Sequence, residues 1–295
     1  MEVKEAMSST ETIEAWPRRV RDESAIPDAF ADAFRALDVS GPPFPDVLFS
    51  PTFRFGRYLE PATLLVHRGD LLACVSWRDG TAQTQRLSLR DVYLAERGTE
   101  LLHSWICFHA RGPSGLASVR ADFNSVGLDL YLPLLHEFRR RLYPVAPGAD
   151  EDVARPFEYL ARVNFKFMNL AQSSLEPGAD VLHSLLQDAV RFKVLGLFER
   201  VVVPGSMAIA TQRELILIRE GEAKDAEQYA GIWTYLPLDQ ISRIEVFPHE
   251  GGRRLIMDVV LPVGESIRSE FELSKFRELR ALVDCVRKSH PAIEG

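Results

Sequence analysis

Ser118-Val119-Arg120-Ala121-Asp122-Phe123 returns near the other end of the chain as Ser266-Ile267-Arg268-Ser269-Glu270-Phe271, 148 residues further on. Apolar stands over apolar, Arg over Arg and acid over acid. Downstream at the same offset, Leu128, Tyr131, Leu134, Leu135 and Phe138 correspond to Phe276, Leu279, Leu282, Val283 and Val286. That spacing is one apolar stripe on an α-helix, and Arg139 and Arg287 follow it in the two copies. Upstream, Leu87, Leu89, Val92 and Glu96 match Leu236, Leu238, Ile241 and Glu245 at an offset of 149. The chain reads as one fold used twice.

Within each copy, short apolar or alternating runs precede the closing helix. Leu87 and Leu89 alternate as on a half-buried strand, and residues 102–108 and 255–261 are rich in β-branched or aromatic side chains, as in central strands. Turns fall at Arg78-Asp79-Gly80, Gly112-Pro113-Ser114-Gly115 and Glu250-Gly251-Gly252. A sheet of about seven short strands needs its apolar face and edges covered, and the amphipathic helix is the natural cover. The expected class is α+β. Its parts are a disordered tail of about 25 residues with a short helix (1–44), a first domain (45–144), a helical connector (145–178) and a second domain (179–291). In the connector, a helix is expected over 156–172, docking the two domains together.

Two stretches of the second copy carry a resemblance. Residues 204–218, Pro-Gly-Ser-Met-Ala-Ile-Ala-Thr-Gln-Arg-Glu-Leu-Ile-Leu-Ile, look like a hairpin with a Thr-x-x-Arg-Leu type turn; residues 236–245, Leu-Pro-Leu-Asp-Gln-Ile-Ser-Arg-Ile-Glu, look like the strand that follows it. In the first copy the counterparts are 69–75 and 89–96. Each copy resembles the bacterial and GRAM-type branch of the pleckstrin-homology-like (PH-like) family. The resemblance implies two tandem barrels, each of about seven antiparallel strands plugged by a C-terminal helix. Many relatives bind phosphoinositides through basic residues around the first hairpin. The positions here that suit that part are Arg54, Arg57, Arg191 and Lys193, each pair with an aromatic beside it.

Composition sets bounds on function. The chain has 295 residues, 46% of them hydrophobic, enough for two ordinary cores. Net charge is -7, yet the first domain holds 12 basic and 10 acidic residues and the second 15 and 17. The acidity belongs to the tail and connector, and no duplex nucleic-acid footprint is expected. No apolar run reaches the ~18 residues of a membrane span, so a cytoplasmic protein is expected, with peripheral attachment to the inner membrane face as an option. Cys74, Cys107 and Cys285 lack metal or redox spacing and read as buried hydrophobes.

Motifs of catalysis are missing. There is no Gly-x-Ser-x-Gly, P-loop, dinucleotide fingerprint or His-Glu-x-x-His. His103 and His109 share a strand face but stand about 20 Å apart, too far to ligate one metal. No cofactor, metal or catalytic residue is expected. In the repeated hexapeptide, Arg120 with Asp122 and Arg268 with Glu270 sit two residues apart on a strand, so each pair can brace the rim, while Phe123 and Phe271 face the core. Two classes of function remain. One is a non-enzymatic adaptor that offers a groove or sheet edge to a peptide or protein; the other is peripheral binding of anionic membrane lipid. The sequence leaves the oligomeric state and the partner's identity open.

Overall fold

Alternation in the first copy becomes a set of short antiparallel strands. The computed structural model describes residues 13–39, 43–55, 58–112, 115–141, 155–194, 198–221, 230–249, 252 and 254–294. Ten strands come first: β1 (Arg18–Val20), β2 (Asp46–Ser50), β3 (Phe53–Phe55), β4 (Tyr58–Glu60), β5 (Thr63–Arg68), β6 (Leu71–Arg78), β7 (Thr81–Ser88), β8 (Val92–Glu100), β9 (His103–Gly112) and β10 (Gly115–Asn124). Helix α1 (Asp28–Arg35) lies between β1 and β2, and α2 (Leu128–Arg140) follows β10. Next come α3 (Phe165–Gln172) and β11 (Val181–Gln187), β12 (Val190–Val194), β13 (Phe198–Val203), β14 (Ser206–Thr211) and β15 (Glu214–Glu220). The chain closes with β16 (Gly231–Pro237), β17 (Arg243–Pro248), β18 (Arg254–Val260), β19 (Ser266–Glu272) and α4 (Phe276–Ser289).

The repeat extends to the element series. From β2, the chain makes one strand, a short hairpin, three strands, a 3₁₀ turn, three strands, a second 3₁₀ turn and a helix; from β11 it makes the same series again. Asp79 and Gly80, both at positive φ, form the two-residue turn between β6 and β7.

The molecule divides into two units. The first comprises the described residues up to Val92 together with Arg97–Leu135; the second comprises Tyr93–Glu96 and those from His136 on. The boundary therefore falls inside β8 and inside α2. In the first unit the sheet order is β1-β2-β5-β6-β7, and β10 ends a second sheet beside β9. In the second unit the orders are β16-β15-β14-β11 and β17-β18-β19, with β8 beside β16. The class is α+β with antiparallel sheets. Among the described residues no sheet closes on itself. In the first unit β7 and β10 lie side by side without a ladder among the described residues, and the Arg120 N–H donates to the Gln85 side chain at 3.2 Å.

Two expectations need correction. Residues 18–20 are not a disordered tail: β1 pairs antiparallel with β2, burying Val20 in a cluster with Phe30, Phe34, Val47 and Phe49. The Phe30 and Phe49 rings meet edge to face at 5.7 Å. The connector is not one helix either. A 3₁₀ turn at Glu158–Arg162 and α3 are separated by Asn164, whose extended backbone and side chain, accepting the Phe167 N–H at 3.1 Å, start a new helix. Phe157 and Phe167 are fully buried, while Tyr159, Val163 and Phe165 are exposed.

Candidate functional site

Hydrogen-bond phase along β7 decides what its outer edge offers. In an antiparallel ladder, only alternate residues turn both backbone groups toward the partner strand. The Leu89 N–H donates to the Asp70 carbonyl at 2.7 Å, so in the register Ser88↔Leu71, Arg86↔Ala73 and Thr84↔Val75 the backbone groups of Thr84, Arg86 and Ser88 turn away from β6. On β10, the Arg120 N–H points outward to Gln85 and the Asp122 carbonyl accepts from the Thr63 hydroxyl at 3.3 Å. By the same alternation, Leu116 and Ser118 present their N–H and C=O on that edge. Between the two edges runs a groove of about 920 Å³, lined by Leu71, Thr84, Arg86, Leu87, Arg111 and Ser118 among others. In the second unit, a smaller cavity of about 250 Å³ lies along the corresponding seam, between β14–β16 and β19, with Glu96, Arg219, Thr234 and Arg268 in its wall.

A polar cluster sits further along β10. Asp122 faces Trp105 across the β9–β10 ladder, and His103 lies two residues from Trp105 on the same face. His103 Nε2 is 2.9 Å from Asp122 Oδ1. Arg120 donates to Asp122 through Nε at 3.0 Å and Nη2 at 2.7 Å, and its guanidinium rests 4.3 Å above the Trp105 ring. Gly98 makes room for that ring, since a Cβ there would land on the indole. Glu60 on β4 completes the group: one ligand atom each from Glu60, His103 and Asp122 lie within 4.8 Å of one another. Burial alone would raise the Asp122 carboxyl, but the hydrogen bonds from His103 and Arg120, and their charges, outweigh it and hold it below the usual carboxylate range.

The second copy of the hexapeptide pairs differently. Glu270 takes Arg254 from β18 rather than Arg268, and Arg268 Nε reaches Asp258 at 3.4 Å. Phe123 and Phe271 are both buried. Three of the four basic positions suggested by the resemblance lie on the short hairpins of the repeats. Arg54 is exposed on β3 opposite Leu59, Arg191 is exposed on β12 opposite Val201, and Lys193 stands on β12 opposite Glu199. Arg57 lies outside the described residues. Sequence reasoning missed Glu60, and considered His103 only with His109. No spacing rule joins Glu60, His103 and Asp122, which meet only when the hairpin, β9 and β10 come together.

The second unit has a different buried polar group. Arg139, almost wholly buried, donates to Glu214 at 2.6 Å and 3.2 Å, to Glu176 at 2.9 Å and to the Ser174 carbonyl at 2.7 Å. Its guanidinium lies 4.1 Å from the Tyr235 ring centroid, and His136 Nδ1 meets Glu176 at 2.6 Å. Burial alone would depress the guanidinium, and the Glu214 and Glu176 carboxylates raise it instead.

No family model matches the chain, and no curated protein matches it. Among solved structures, it is similar to the Bacillus megaterium YpeB C-terminal domain at 12% identity and a TM-score of 0.15, over 74% of this chain and 99% of that one. That likeness is too slight to define a fold. Among the described residues, no helix is long and apolar enough to cross a membrane.

Proposed function

We propose that each repeat is a PH-like module opened along one seam, and that the first repeat binds an extended peptide segment in the β7–β10 groove as a non-catalytic adaptor. The observation that carries this reading is the facing pair of edges, with Thr84, Arg86 and Ser88 on one side and Leu116 and Ser118 on the other. A strand laid along one of these edges gains main-chain hydrogen bonds, the basis of strand addition. From Thr84 to Ser88 the edge spans about 13 Å, room for about four to five residues. The wall carries Asp70 and Asp91 beside Arg86 and Arg111, so main-chain pairing rather than charge would select the peptide.

Selection of peptides from a random display library against the full chain tests the proposal. Enriched peptides are expected to lose binding when N-methylated at alternate positions, and when Ser118→Pro removes one outward N–H from the edge. If no peptide is enriched, or if binding ignores both changes, the proposal is wrong.

A second reading rests on the hairpins. Tyr58 is 56% and Leu59 62% exposed on β4, with exposed Arg54 across from Leu59. Apolar tips beside a cation suit the headgroup boundary of an anionic membrane. Flotation with phosphatidylserine vesicles at low salt is expected to carry the protein up, and Leu59→Asp to abolish it. Failure of the unmodified protein to float removes this reading without touching the first.

A further inference from the structure

We propose that Glu60, His103 and Asp122 of the first unit bind a divalent transition-metal ion of the zinc class. Donor type comes first. One imidazole with two carboxylates is a set that Zn²⁺ and its neighbours accept, whereas Mg²⁺ and Ca²⁺ take oxygen alone. Geometry agrees. Ligand atoms at about 2.0–2.2 Å from a shared ion stand about 3–3.5 Å from one another; here His103 Nε2 and Asp122 Oδ1 are 2.9 Å apart and the three donors lie within 4.8 Å.

Charge and support point the same way. Two carboxylates face the single guanidinium of Arg120, so the group keeps an excess negative charge that a bound cation balances. Arg120 holds both Asp122 oxygens, Nη2 donating to Oδ1 at 2.7 Å and Nε to Oδ2 at 3.0 Å. It grips Asp122 from its own strand, propped on Trp105, as hydrogen-bond donors outside a metal's coordination sphere commonly orient a ligating carboxylate. The His103 and Asp122 side chains keep 14% and 16% of their surface exposed, which leaves an entry path and positions for water or an outside ligand.

The test uses full-length, untagged protein stripped with a chelator and titrated with Co²⁺ by visible absorption and with Zn²⁺ by calorimetry. One equivalent is expected to bind, with a d–d band and a rise in melting temperature. His103→Ala and Glu60→Gln are each expected to weaken Zn²⁺ about tenfold or more, while His109→Ala on the same strand leaves it unchanged. Glu60→Gln, near-isosteric and on a surface hairpin, keeps the test decisive if His103→Ala fails to fold. No binding by the unmodified chain at about 100-fold metal excess, or equal loss in His109→Ala, overturns the proposal and leaves the cluster as an ion-pair network alone.

Discussion

Replacing Arg139 by Met removes a buried cation while keeping much of its volume, so the consequence is electrostatic more than steric. Four hydrogen bonds go, to Glu214 twice, Glu176 and the Ser174 carbonyl, along with the stacking on Tyr235. The carboxylates left behind, Glu176 and Glu214, are 2% and 0% exposed and have lost the guanidinium between them, though Glu176 keeps His136 at 2.6 Å. Breaking one side of such a buried pair costs about 3–5 kcal/mol, and the lost ring contact adds about 1 kcal/mol. The expected loss is about 4–6 kcal/mol, a large part of the roughly 5–15 kcal/mol typical of a folded domain. Urea unfolding with hydrogen exchange read at β14 and β15, the latter carrying Glu214, measures it in the unit concerned. Because the group is buried, 1 M salt should change the loss little. Arg139→Met/Glu176→Gln/Glu214→Gln removes the orphaned charges and is expected to recover at least half of the stability. A single-variant loss under about 1 kcal/mol, or a triple variant no better than the single one, refutes the reasoning.

Other expectations follow from the first unit. Gly98→Ala drives a methyl into Trp105 and should cost about 1–3 kcal/mol; Arg120 then loses its seat, so tryptophan fluorescence and melting temperature should change together. Burial, with the nearby Asp122 charge, pushes the Cys74 thiol up to about 12. That contribution to stability is complete below the unfolded thiol value near 8.5 and falls by about 1.4 kcal/mol per pH unit as pH rises toward the folded value. Stability curves from pH 9 to 10.5 should therefore be flatter for Cys74→Ala than for the unmodified chain. In thiol trapping under native conditions, half-buried Cys285 should label well before Cys74.

The duplicated series was legible because it is written in apolar periodicity: the stripe from Leu128 to Phe138 marks a helix whatever surrounds it, and Asp79-Gly80 marks a tight turn by its own backbone preference. What escaped depends on distant partners. Strand β1 has three residues, too few to alternate, and exists because the outer edge of β2 is there to pair with. Arg139 follows an apolar stripe as any helix-ending arginine does; its burial depends on Glu176 and Glu214, elsewhere in the sequence. The same holds for the hexapeptide: Glu270 lies opposite Ile256 and takes Arg254, two residues along β18, whereas Asp122 lies opposite Trp105, which seats Arg120 for an intrastrand pair, and the place of Arg254 is held by His103. Glu60 gave no signal at all, since nothing nearby in the chain marks it as a donor.

The boundary inside β8 has a practical outcome for anyone dissecting this molecule. Tyr93 and Leu94 precede the second repeat in the chain yet pack in its core with Leu236, Met257 and Phe271, and Tyr93 donates to Glu265 at 2.7 Å. A fragment cut between the repeats would be expressed without two of its own interior side chains, leaving a hollow where they belong. The sequence repeat and the two compact units thus divide the polypeptide at different places, and a cut at the repeat boundary separates side chains from the interior they fill.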